Sequence, residues 1–156
     1  MTAIPFPTLD ILLAAAAMLH VTEEFLFPGG FTEWYARLIP PKTEKKNTGG
    51  FLVWINTIMM CAIAYAIHLG DTSSGHVIWY DIAAILTANA CLHIWGTFKL
   101  KAYSPGVVTV VLLYIPLFIL GTVQLVGTGL IPLHRAIFSV VLGIGFHLFS
   151  IKRQRK

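Results

Sequence analysis

Charge is scarce in this chain. Only 12% of its 156 residues are Asp, Glu, Lys or Arg, against roughly 25% in a typical soluble domain. A small domain needs polar residues over most of its exterior, so this scarcity excludes a soluble globular reading. Cysteine is nearly missing as well. Cys61 and Cys91 both lie inside apolar runs, which argues against a disulfide framework and reads them as small buried hydrophobes. Lys and Arg are absent from the first ten residues, so no positively charged signal-peptide n-region is expected. The net charge of +4 is not gathered into a patch. Its basic residues flank apolar spans, as membrane orientation requires, and nothing argues for a nucleic-acid partner.

What is present is apolar length. Hydrophobic residues make up 56% of the chain, and five stretches approach the roughly 20 residues that cross a hydrocarbon core as a helix. They run over 8–27, 51–69, 77–98, 105–126 and 130–151. The first stops at Pro28-Gly29-Gly30, and the last runs directly into Lys152-Arg153-Gln154-Arg155-Lys156. No repeat or second domain is visible. The expected fold is all-α: one polytopic membrane domain over 1–156, a bundle of five transmembrane helices.

With five spans, the first loop, the third loop and the C-terminal tail share one side. They hold Arg37, Lys42, Lys45, Lys46, Lys99, Lys101, Lys152, Arg153, Arg155 and Lys156, leaving Arg135 as the one basic residue towards the other face. The positive-inside rule then gives an inner-membrane protein with its N-terminus outside and its C-terminus cytoplasmic. In the first loop, Phe31, Trp34, Tyr35, Leu38 and Ile39 follow helical i, i+3, i+4, i+7, i+8 spacing up to Pro40-Pro41. This segment, 31–39, reads as a short interfacial helix on the cytoplasmic surface or as an aromatic belt on an irregular loop. Lys42 to Asn47 reads as a solvated connector.

The polar residues inside the spans sort by depth. His20, Glu23 and Glu24 share one face of the first helix, the glutamates about 60° and 40° to either side of the histidine. A charged side chain at the bilayer centre costs on the order of 2.5–3.5 kcal/mol. Two adjacent carboxylates resist ionising together in low dielectric, so either one keeps a proton or a cation sits between them. The third helix supplies Asn89 and His93 at i, i+4, the fifth supplies His147, and the second places Asn56 near its start. At about 1.5 Å of rise per residue, His20 lies roughly 10 Å from the cytoplasmic end of its helix, His93 roughly 8 Å and His147 about 6 Å. His68, His76 and His134 sort to the outer side. Each residue alone is as well explained by bundle hydrogen bonding. The matched depth of the set points to a site whose ligand types suit zinc, iron or manganese, or to a metal-free acid–base pair. In the Tyr103-Ser104-Pro105-Gly106 segment, Ser104 reads as an N-cap and Pro105 as the first residue of the fourth helix. Tyr103 is either an interfacial anchor or a hydrogen-bond donor to the site. Pro116 is expected to kink the fourth helix, and Asp81 to pair with Arg135.

Three motifs in this order resemble the HXXEE family of small bacterial membrane proteins. They are His20-Val21-Thr22-Glu23-Glu24, the N-x-x-x-H of Asn89 to His93, and the Y-x-P-G of Tyr103 to Gly106. The resemblance spans essentially the whole chain. It implies which residues matter and supplies no reaction. His147 belongs to none of the three motifs and is included on depth alone.

The expectation is a membrane-embedded metalloenzyme acting on a lipid-like or other apolar substrate. Its metal ligands would come from His20, Glu23, Glu24, His93 and His147, holding one divalent ion (zinc or iron), or two. Asn89 or Tyr103 would orient a water or substrate oxygen, and one of Glu23 and Glu24 would serve as base in metal-assisted hydrolysis; with two ions, di-iron oxidation fits equally. The sequence leaves open a metal-free isomerase, a metal or proton transporter, and a non-catalytic subunit. A homo-oligomer with its site at a subunit interface is compatible with so small a chain.

Overall fold

The computed structural model describes residues 4–40 and 48–155. The connector expected over Lys42 to Asn47 lies outside the described residues, as do Lys42, Lys45, Lys46 and Lys156 of the basic set. The elements are α1 (Phe6–Phe25), α2 (Phe31–Leu38), α3 (Thr48–Leu69), α4 (Ser73–Leu100), α5 (Val107–Val126) and α6 (Leu133–Arg155). All but α2 are long and apolar enough to cross a membrane, and no strand occurs among the described residues. The all-α five-span bundle is therefore the fold, compatible with a multi-pass membrane protein.

The two helices that carry the paired polar motifs are the inner ones. Within their apolar windows 44% of α1 and of α4 is buried inside the protein, against 17% of α3. Leu9, Leu13, Ala16 and Ala17 of α1 meet Trp79, Ile82, Ala83, Leu86 and Ala90 of α4 in a single core, closed by Val110, Tyr114 and Leu117 of α5. Small residues let backbones approach closely where lipid supplies no hydrophobic drive between helices. A Cβ added at Gly143 of α6 would fall 2.7 Å from the Ala84 carbonyl oxygen of α4.

The helix ends depart from a reading by apolar run. α4 begins at Ser73, four residues before the apolar stretch, because Thr72 caps it by accepting from Gly75 N–H at 3.1 Å. α5 begins at Val107 rather than at Pro105, with Gly106 at its N-cap in left-handed conformation, φ 99°. Ser104 is therefore not the cap; its hydroxyl is used elsewhere. Pro116 lies in a helix that stays continuous, with π-helical turns over Val110–Tyr114 and Thr122–Val126. The wider turn takes the Ile115 N–H back to the Val110 carbonyl, ahead of the proline that has no N–H to give.

α2 forms as a helix, and its apolar face turns into the bundle. Phe31, Trp34, Tyr35, Leu38 and Ile39 are all buried, against Leu52 of α3 and with Phe25, Leu92, Leu100 and Ile151 around them. Gly96 of α4 is the seat of this contact, since a Cβ there would collide with the Trp34 ring. At the other end of the bundle Arg135 donates from Nη2 to Asp81 Oδ2 at 2.6 Å, the pairing expected. Cys61 and Cys91 are free thiols, but both are exposed on the outside of the bundle rather than buried. An apolar exterior suits a small apolar side chain as well as a core does.

Candidate functional site

One helical turn separates His20 from Glu24 on α1, and one turn separates Asn89 from His93 on α4. Where the two inner helices face each other, these side chains meet. Glu24 Oε1 lies 3.3 Å from His20 Nε2 and 3.2 Å from His93 Nε2. The three ligand-type atoms all fall within 4.8 Å of one another, and all three residues are buried. Asn89 Nδ2 stands 3.0 Å from His20 Nε2 and 3.2 Å from His93 Nε2.

The far sides of both imidazoles are held by hydroxyls. His20 Nδ1 lies 2.9 Å from Thr109 Oγ1, and that hydroxyl donates to the Gly106 carbonyl at 3.0 Å. Its lone pair is thus left for His20 Nδ1, and the neutral tautomer that donates there turns the Nε2 lone pair inward. His93 Nδ1 lies 2.9 Å from Ser104 Oγ, the hydroxyl that sequence reasoning had assigned to a helix cap. Between the two rings sits Gly106. A Cβ there would fall 2.6 Å from His20 Cε1 and 2.8 Å from His93 Cε1, at a φ that L side chains rarely adopt. The glycine of the Y-x-P-G motif is required twice over, by its backbone angle and by the rings it touches. From the side of α2, Trp34 stacks on His93 with ring centroids 5.4 Å apart and planes 3° from parallel.

Glu23 takes a different direction. The rotation of about 100° between consecutive helical residues carries its carboxylate away from Glu24 and onto the start of α5. There Oε1 accepts from Val108 N–H at 3.0 Å and Oε2 from Thr109 N–H at 2.7 Å. A carboxylate on the free N–H groups of a helix N-terminus is a charge-assisted cap. The Tyr103 phenol donates to the same Oε1. Burial first, then the hydrogen bond to and the charge of Glu23, hold that phenol above its ordinary range. The two adjacent glutamates therefore do not compete for one cation: Glu24 joins the histidines, and Glu23 ties α1 to α5 through the Y-x-P-G turn.

The sequence-predicted set divides accordingly. His20, Glu24, His93 and Asn89 converge. Glu23 and Tyr103 form the neighbouring bridge, outside the group of ligand-type atoms. His147 lies on the wall of a cavity shared with His20, Glu24 and Asn89, but its Nε2 is 3.3 Å from the Ile85 carbonyl, and it too is outside that group. The cavity runs among α1, α3, α4 and α6 beneath Phe31 and Tyr35 of α2, with Asn56 on its wall.

Sequence reasoning missed Ser104, Thr109, Trp34 and Tyr114. The Tyr114 ring lies 4.8 Å from that of His20 and lines the same cavity, brought there by the π-helical turn that ends at it. Insertions of this kind cluster at functional sites, but only the structure reveals one. Ser104 and Thr109 carried a signal that went unused: hydroxyls beside a motif that already held a glycine and a proline.

No curated protein matches the chain, and no solved structure does. The family described as a protein of unknown function with HXXEE motif matches residues 11–121, which include every residue of the cluster, of its hydroxyl supports and of the Glu23–Tyr103 bridge. The chain is a member of the HXXEE family.

Proposed function

We propose that the chain is a membrane-embedded metalloenzyme in which His20, Glu24 and His93 hold one divalent cation, and that it acts on an apolar, lipid-like substrate. The observation that carries this reading is the convergence of three buried ligand-type atoms within 4.8 Å of one another. Tetrahedral coordination at 2.0–2.1 Å sets neighbouring ligand atoms about 3.3 Å apart, and the two nitrogen–oxygen separations are 3.3 and 3.2 Å. A carboxylate oxygen facing an unprotonated His20 Nε2 calls for a cation between them, a metal ion or a proton. The outer nitrogens rest on hydroxyls, as the outer nitrogens of metal-ligating histidines rest on second partners that fix their tautomer.

Two histidines and a carboxylate with room beside them suit a catalytic zinc or a ferrous ion. A single three-ligand group favours one ion over two, and so favours hydrolysis over di-iron oxidation. Such an ion polarises a carbonyl and brings bound water to a pKa of about 7. The chain's own residues supply the rest. Asn89 stands over both imidazoles and orients an oxygen at the cluster. Tyr114 closes the cavity beside His20. His147, with Nε2 3.3 Å from the Ile85 carbonyl, stands on the cavity wall beside the cluster. Glu23, with both oxygens on α5, is spared from proton transfer. The basic end of the bundle, where the site lies, belongs on the cytoplasmic side of an inner membrane in this reading.

One observation favours a metal-free alternative: the Asn89 amide is close enough to donate to both Nε2 atoms. A transport path finds less support. Between Asp10 and His20 the buried face of α1 is Leu13, Ala16 and Ala17, with no polar step linking the two ends. The test is hydrolysis of long-chain acyl esters by zinc-loaded protein, with Glu24→Gln beside it. Turnover that is lost in the variant and restored in wild type by zinc supports the reading. Turnover that survives chelation in wild type contradicts it and favours the acid–base alternative, and inactivity with both zinc and ferrous iron rejects ester substrates.

A further inference from the structure

The wall of the site cavity is also the wall of a second cavity, which faces outward. A groove between α1 and α3 is lined by Val21 on α1, by Leu26 just past its end, and by Val53, Asn56, Met60 and Ala64 on α3, among others. Val21, Asn56 and Met60 line the site cavity too. The α3 positions fall at i, i+3, i+7 and i+11, one stripe along the helix, and extend roughly 16 Å at 1.5 Å per residue. Leu26 and Val53 are 76% and 68% exposed on the bundle's outer surface. The groove thus opens on the outer surface and is divided from the cavity of the polar cluster only by the side chains of Val21, Asn56 and Met60, which line both.

Asn56 marks the junction. Thr57, beside it, satisfies its own hydroxyl on the Val53 carbonyl at 2.8 Å. The Asn56 amide has no hydrogen-bond partner among the described residues. An amide left without a partner beside hydrocarbon is unfavourable, and the groove offers it only the Thr57 hydroxyl, already bonded to Val53, and the Cys61 thiol. A group that brings oxygen to Asn56 while remaining apolar along Met60 and Ala64 meets both requirements. A helix of a second copy would set side chains against the amide and shut the cavity, whereas a hydrocarbon chain is thin enough to lie along the stripe.

Resting on the reading of the His20–Glu24–His93 cluster as the reacting centre, we propose that the α1–α3 groove binds one hydrocarbon chain of an amphiphile drawn sideways from the bilayer. Its oxygen-bearing head, a carboxyl, ester or hydroxyl, passes Asn56 towards the cluster. The substrate class is then a single-chain or acyl-bearing lipid with the scissile or reacting group near its head, and Met60 and Ala64 set which chains are accepted.

The test uses the whole chain in nanodiscs with a long-chain fatty acid bearing a diazirine near the end of its chain. Photolabelled residues are mapped by mass spectrometry, and metal content is measured on the same samples. The expected result is labelling centred on Met60 to Ala64, lost in Ala64→Trp and reduced in Asn56→Leu. An excess of a long-chain alkyl hydroxamate should compete for the groove, and acetohydroxamate should not. Ala64 is an exposed position, so its substitution leaves the core intact, and retained metal verifies this. Labelling no stronger in the groove than at the exposed α6 positions Ile137 and Val141, and unchanged by Ala64→Trp, overturns the proposal and leaves annular lipid only. Cross-links joining two chains through α3 overturn it in favour of a second copy. Groove labelling in a protein that binds no metal would sustain the chain site and remove the metal reading; metal without groove labelling would do the reverse.

Discussion

Glu24 Oε1 stands 3.3 Å from His20 Nε2, one turn away on the same helix, while Glu23, immediately before it in the chain, is bonded to a different helix altogether. Adjacent and identical in type, the two glutamates have separate tasks, and substitution should separate them. Glu24→Gln is expected to lose bound metal, because one ligand oxygen becomes neutral. Glu23→Gln is expected to keep it and to lose stability instead. Hydrogen bonds to charged groups are worth about 1.5–3 kcal/mol each, so the melting temperature should fall clearly in that variant. Equal metal loss in both variants would contradict the division.

Tyr103 supplies a pH dependence with a definite sign. Its phenol is held above its ordinary range in the fold, so the neutral form is the one the fold favours. The associated stability is fully present below the unfolded phenol pKa of about 10 and is lost as pH rises through the higher folded value. Tyr103→Phe should therefore abolish part of the alkaline loss of stability while leaving the neutral-pH metal content unchanged. Melting curves of both proteins from pH 8 to 11 check this.

Gly106→Ala tests the rings. The left-handed conformation alone costs an L residue roughly 1–2 kcal/mol, and the added methyl would press on His20 and His93 together. Lower stability and lost or weakened metal binding are expected in the same variant. A variant that melts lower but binds metal as tightly as wild type would mean that the rings do not need their present positions.

Ser104→Ala removes the hydroxyl behind His93 without touching the cluster's inner face. Loss of such an outer partner typically weakens a metal site by 10–100-fold, to be measured by competition with a chromophoric chelator. An unchanged affinity would show that Ser104 only packs.

Much of this was readable in the sequence, and what was not has identifiable causes. The five spans follow from apolar length, and Asp81 with Arg135 from being charged groups on one side of the bundle. Depth along the helices placed His20, Glu23, Glu24, His93 and His147 in one layer, and of these His20, Glu24 and His93 converge. Depth could not tell Glu23 from Glu24, because a helical wheel gives angles on one helix and not which neighbour each angle faces. Tyr114 was hidden because an ideal helical period fails across a π-helical turn. Ser104 looked like a cap because Ser-Pro opens so many helices; that Gly106 would start the helix instead depends on two imidazoles contributed by distant segments. The spacing over 31–39 fitted an interfacial helix or an aromatic loop, and an apolar face fits lipid or protein equally well until Gly96 shows where Trp34 is seated.

The measurement that bears most directly on the central claim is the elemental content of the purified protein in detergent, beside His20→Ala, His93→Ala and Glu23→Gln. One zinc or iron per chain in wild type and in Glu23→Gln, lost in both histidine variants while they remain folded, is the result expected of a His20–Glu24–His93 centre. No stoichiometric metal in wild type after incubation with each ion would contradict that centre and leave the Asn89-bridged histidines as an acid–base pair.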